Sequence, residues 1–126
     1  MYNDTLASTT EPILAFLGLQ DMPQTLKKRL FEGYVKQRVK LKIPAKVIVS
    51  DNEINKGYKK IDKENIKETR VVKSDLFSLY GEIDIYAENR IAIFMFNDKE
   101  MSGIIIHSKS MHDSLKSIFN FIWKSK

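Results

Sequence analysis

Two short apolar runs, PILAFLG at 12–18 and AKVIV at 45–49, bracket a stretch of helical periodicity. This arrangement constrains the fold more than any other feature of the chain. Runs of this length, bounded by Pro and Gly, read as buried strands. Between them Pro23 opens a helix in which Leu26, Leu30 and Tyr34, and Phe31, Val35 and Val39, recur at three- and four-residue spacing. Lys27, Lys28, Lys36 and Lys40 point away from that face, and Pro44 cannot continue the helix. Strands alternating with a helix argue for a parallel portion of a sheet.

The pattern then changes. Asp51 or Asn52 can cap a second, very polar helix whose apolar stripe is Ile54, Tyr58 and Ile61. Residues 68–72 form a short strand, and 74–81 a loop holding Leu76, Phe77 and Leu79. Residues 82–86 alternate, Glu88-Asn89 makes a turn and 90–96 returns. Residues 97–100 turn again, and 102–109 form the last strand. The closing helix starts with Ser110 as N-cap and Asp113 in the place of a capping-box acid. Its expected core stripe is Met111, Leu115, Ile118, Phe119 and Ile122. The expected fold is α/β, a mixed β-sheet flanked by helices in the order β-α-β-α-β-β-β-β-α, with one domain over 12–126 after a linker or interdomain-helix stub at 1–11.

The 126 residues include no cysteine and two histidines, which excludes disulfides, thiolate metal sites and thiol nucleophiles and argues against any metal site. The longest apolar run, 91–96, is far short of the roughly 20 residues of a membrane span. The first residues lack the basic and apolar regions of a signal peptide, so a cytoplasmic protein with no membrane partner is expected. The net charge of +5 is uneven: 23–67 hold 13 basic and 5 acidic side chains, whereas 68–126 hold 8 of each. A basic segment can meet phosphates, here through Lys27, Lys28, Arg29, Lys36, Arg38 and Lys40, or it can be the solvated face of helices.

His107-Ser108-Lys109 spells the His-x-Lys of phospholipase D-type phosphoryl transfer. On a strand the two side chains share a side, which suits an imidazole nucleophile beside a phosphate-holding lysine. The full pattern, His-x-Lys-x4-Asp, puts Ser114 where the acid belongs, and Asp113 is one residue early. The triplet reads better as a strand end. No Gly-rich phosphate loop and no Ser/His/Asp arrangement is present.

The segments AKVIVSDNE, YKKIDKENIKETRVV, EIDIYAENRIAIFMF and MSGIIIHSKSMHDSLKSIFNFIWK, in that order and spacing, resemble the C-terminal domain of TrmB-like transcriptional regulators. That domain is a catalytically inactive, phospholipase D-like sensor. The hairpin at 82–96 resembles the hairpin that carries the enzyme motif, with Glu82 at the His position, Asp84 at the Lys position and Asn89 at the Asp position. Two carboxylates repel a phosphodiester. The resemblance implies a phospholipase D-like half-domain architecture without catalysis or cofactor. It also implies a homodimer and a small effector, a sugar or a phosphorylated metabolite.

DNA would be reached only through a winged helix that these residues do not include, so the sequence reads as a fragment or a free-standing relative. Polar residues at strand ends are the expected ligand contacts: Arg70, Glu82, Asp84, His107 and Lys109. Arg70 is expected to pair with Glu82 or Asp84 across the sheet or to grip a ligand oxygen. Two rivals stand beside this reading. One is a small phospholipase D-like nuclease or phosphodiesterase using His107 and Lys109, and the other is a basic nucleic-acid-binding module.

Overall fold

A computed structural model describes residues 12–18, 30–51, 59–73, 81–96 and 101–125. Six strands, β1 (Ile13–Leu17), β2 (Ala45–Ser50), β3 (Lys67–Val72), β4 (Gly81–Tyr86), β5 (Arg90–Phe96) and β6 (Met101–His107), make one sheet in the order β3-β2-β1-β4-β5-β6. β1 runs parallel to β2, and β2 to β3. The β1–β4, β4–β5 and β5–β6 pairs are antiparallel. The first strand is therefore central, with a parallel half on one side and a meander on the other. This is the α/β mixed sheet that the sequence implied. Gly81 opens β4 because a Cβ there would meet the Phe94 carbonyl oxygen at 2.1 Å.

The register sorts the side chains onto two faces, since cross-strand partners point the same way. One row runs Arg70, Ile48, Phe16, Ile83, Ile93 and Ile104. The adjacent row, on the opposite face, runs Thr69, Val47, Ala15, Asp84, Ala92 and Ile105. Each face has its own core, one around Ile13, Val47, Val49 and Phe94, the other around Phe16, Ile48 and Ile85.

The first core is covered by the segment between β1 and β2. A π-helical turn, Leu30–Val35, runs on as α1, Lys36–Lys40. Val35 is buried, Tyr34 and Val39 pack beside it, and Lys36 and Lys40 are exposed, as the spacing predicts. α1 ends in a Schellman motif: Ile43 N donates to Arg38 O at 3.1 Å and Lys42 N to Val39 O at 3.0 Å. Lys42 takes the left-handed position at φ 59, where glycine is usual, and the buried Ile43 holds the turn against the core. The start of this helix at Pro23 lies outside the described residues. So do 1–11, the 74–80 part of the loop, the 97–100 turn, and 52–58 of the second helix. Residues 60–66 form turns, so helix does not extend to Ile61.

The second core is covered by α2, Lys109–Lys124. Its N-cap is Ser108, whose hydroxyl accepts from Met111 N at 3.2 Å, and not Ser110. The ladder of β6 ends where His107 pairs with Arg90, and Ser108 N then donates to Asn89 O in the β4–β5 turn at 2.8 Å. That bond forces the backbone to leave the sheet two residues earlier than expected. Asp113 is consequently not a capping-box acid. The buried stripe is rotated as well: His112, Phe119 and Trp123 are buried, Leu115 and Ile122 pack beside them, and Met111 and Ile118 are exposed. Phe119 meets Phe16 edge-on with centroids 5.3 Å apart and stacks on Trp123 at 5.5 Å.

Candidate functional site

Along one flank of α2, Lys109, His112, Asp113, Lys116 and Asn120 recur at three- and four-residue spacing. They form one wall of a cleft of about 570 Å³. Pro12, Leu14, Lys46 and Ile85 form the other wall, and Ala87 and Glu88 of the β4–β5 turn close one end. The bond from Ser108 to Asn89 pins the helix start to that turn. Ala87, at φ 52, takes the left-handed backbone that the turn requires.

The His112 side chain is only 7% exposed, and its Nδ1 lies 3.0 Å from Asp113 Oδ1. Lys109 Nζ reaches the other Asp113 oxygen at 3.2 Å. The hydrogen bond with His112, and after it the one with Lys109, holds the Asp113 carboxyl below the usual carboxylate range. Lys46 Nζ stands 5.6 Å from the Trp123 ring centroid at the far end of the helix. Among the described residues Lys46 and Lys116 have no carboxylate partner. Sequence reasoning missed Lys46, His112, Lys116 and Asn120. The signal that could have found His112, Lys116 and Asn120 is the polar flank of α2, which borders an apolar stripe without being opposite to it; Lys46, on β2, carries no such signal.

Of the five residues nominated from sequence, Lys109 alone lines this cleft. His107 is exposed at the end of β6 and Lys109 is the first residue of α2, so the two are not neighbours on one strand face. Arg70 is on the α2 face, its guanidinium 4.1 Å from the Trp123 ring centroid and its Nη1 donating to the Trp123 carbonyl. Glu82 and Asp84 are on the opposite face, buried in the sheet. Arg70 therefore cannot pair with either of them, because the sheet itself separates them. Of the six basic residues weighed for nucleic acid, Lys36 and Lys40 are exposed and Arg38 is buried, while Lys27, Lys28 and Arg29 fall outside the described residues.

Asp84 lies between Ala15 and Ala92, whose small side chains leave it room. Among the described residues neither of its oxygens has a partner in good hydrogen-bond geometry, the Glu82 side chain being the one that acts on it. Burial, and then the charge of Glu82 two residues along the same face, push its carboxyl well above the usual range. A group whose folded pKa is raised stabilises the fold fully below its unfolded value, about 3.8, and that contribution fades as pH rises through the folded value. The chain is accordingly expected to lose stability from pH 4 upwards across that window. Asp84→Asn, neutral and of the same shape, flattens the profile and is more stable than the parent at its alkaline end by about 1–3 kcal/mol. Urea unfolding across the pH range checks this, and equal slopes for the two proteins would contradict it.

Among the described residues no group of three His, Cys, Asp or Glu side chains could hold a metal ion, and no helix is long and apolar enough to cross a membrane. No protein-family model matches the chain, and no curated protein matches it. Among solved structures, the chain is similar in fold to TrmBL2, described as an archaeal chromatin protein with a novel mode of DNA binding. The TM-score is 0.58 at 15% sequence identity, over 97% of this chain and 46% of TrmBL2. The chain thus spans about half the length of that protein.

Proposed function

We propose that this chain is the effector-sensing and dimerising domain of a TrmB-like transcriptional regulator, with a phospholipase D-like architecture and no catalytic activity of its own. The observation that carries the reading is the likeness of nearly the whole chain to part of a DNA-binding protein. The separation of His107 from Lys109 and the burial of Glu82 and Asp84 support the absence of phosphoryl transfer. In this reading the cleft beside α2 takes a small cytoplasmic ligand. DNA is read by a winged helix joined to such domains.

α2 suits the role because its two flanks differ. One lines the cleft, while the other side of the helix exposes Ile118 at 51% and Phe121 at 75%, with Ile104 of β6 exposed at 53%. We read these exposed apolar side chains as the pairing surface of the domain. A ligand that fits one arrangement of the paired domains better than another shifts the population between them.

Sedimentation velocity and a thermal-shift screen over neutral sugars, nucleotides and phosphorylated metabolites test this together. The expected outcome is a dimer that Phe121→Asp converts to a monomer, with a dose-dependent rise in Tm for one ligand class. A monomer that no ligand stabilises would sink the reading. So would a phosphodiesterase activity that disappears in His107→Ala.

A further inference from the structure

The walls of the α2 cleft differ in chemistry in a way that selects a ligand. Pro12, Leu14 and Ile85 give an apolar surface on the sheet side. Lys46 enters from that same side and Lys116 from the helix, and neither has a carboxylate partner among the described residues. Lysines without a carboxylate at the wall of a concave site are ready donors for an anion, because each is a compact point charge with three N–H groups. The Lys46 ammonium stands against the face of Trp123, 5.6 Å from the ring centroid. Asp113 does not oppose this strongly, since Lys109 and His112 already hold it. His112 is fixed by that contact through Nδ1, and among the described residues no group takes its Nε2.

We infer that this cleft binds a small phosphorylated metabolite, with the phosphoryl group between Lys46 and Lys116 and the carbon body on Leu14 and Ile85. The inference rests on the sensor reading above and narrows its ligand to one chemical class. A volume of about 570 Å³ suits a small molecule better than a nucleic-acid backbone. The apolar wall, which a duplex backbone would leave uncovered, points the same way. Asp113 acts as the internal competitor: as the ligand arrives, Lys109 and His112 can exchange a carboxylate for a phosphoryl oxygen.

The test is a two-dimensional NMR titration of the full chain with glucose 6-phosphate, glucose, pyrophosphate and a short DNA duplex. Glucose 6-phosphate is expected to shift the amide signals of Lys46, Lys109, His112, Lys116 and Asn120, while glucose leaves them in place. Lys46→Glu and Lys116→Glu, both at exposed positions, should each weaken its binding by roughly tenfold or more. Asp113→Asn should tighten it, the opposite of what a neutral sugar using Asp113 as an acceptor would show.

Equal shifts with glucose and glucose 6-phosphate overturn the inference. So does binding unchanged by both lysine variants, or DNA shifting these signals when no small molecule does. A neutral sugar that binds elsewhere on the chain overturns the inference and leaves the sensor reading standing. Silence from every probe overturns the inference alone; the sensor reading is judged separately by the screen and the oligomeric state.

Discussion

Asp62→Ala is expected to destabilise the chain by about 3–5 kcal/mol, the cost of leaving one member of a buried ion pair without its partner. The group that loses its carboxylate is Lys67, whose side chain is 0% exposed. Its ammonium donates to Asp62 Oδ1 and, at 3.1 Å, to Thr69 Oγ1. Thr69 in turn donates to both Asp62 oxygens, N to Oδ2 at 2.7 Å and Oγ1 to Oδ1 at 2.6 Å. Burial alone would raise the Asp62 pKa, but the hydrogen bonds from Lys67 and Thr69 outweigh it and hold the carboxyl below its ordinary 3.8. For Lys67 burial dominates, and its pKa is lowered despite the pull of Asp62.

A carboxyl with a depressed folded pKa stabilises the fold above its unfolded value and loses that contribution as pH falls through the folded one. Urea unfolding should therefore show the full cost of Asp62→Ala near neutral pH and a smaller cost below about pH 3. Adding Lys67→Met to the variant should restore most of the loss, because the pair is then replaced by apolar atoms instead of being broken. A loss below about 1 kcal/mol in the single variant would show that water reaches Lys67 and screens it, as for an exposed pair.

Arg38→Met is expected to cost about 2–4 kcal/mol. The guanidinium donates to three backbone carbonyls: Ile43 O at 2.8 Å, Asn65 O at 2.6 Å and Ile66 O at 3.4 Å. These carbonyls belong to the segments leading into β2 and β3, so Arg38 ties the entry points of two neighbouring strands to the helix above them. One of its acceptors is under strain, since Ile66 has a β-branched side chain at φ 43. Methionine keeps the apolar stem and removes all three hydrogen bonds. Arg38→Lys should fall close to Arg38→Met, because one ammonium cannot span the fork. Chemical denaturation measures the loss, and hydrogen exchange at Ala45, whose N–H donates to Ile66 O, should show where the structure opens. If Arg38→Lys behaved as wild type, the fork geometry would be irrelevant.

These residues also mark the limit of what the sequence shows. Strands were legible because their apolar runs were bounded by Pro, Gly and turn residues, and the hairpin at 82–96 because alternation and the Glu88-Asn89 turn agree. The parallel half followed from the helix between β1 and β2. Arg38 and Lys67, by contrast, are two of the basic residues that made 23–67 look like a surface. Periodicity places Arg38 between the apolar and polar stripes of its helix, and only the folding back of residues 60–66 buries it. Arg70 and Asp84 share one sheet, but their faces depend on strand order and register, which the sequence does not state. Ser108 and Ser110 are equally good caps by residue type, and the choice between them lies in a hydrogen bond to Asn89, nineteen positions away. The cleft was missed for the same reason: half of it belongs to α2 and half to strands that precede α2 by many residues.

The path of α2 has a further consequence. The helix is tied at its start to the β4–β5 turn, crosses Phe16 of the first strand in the middle, and at its end meets Arg70 of β3. Together with the β1–β4 ladder and the core on the opposite face, it joins the parallel half of the sheet to the meander. It therefore lies as a crossbar over the sheet, with contacts to both halves. A molecule that settles beside the crossbar does not need to touch β3 or β6 to alter both.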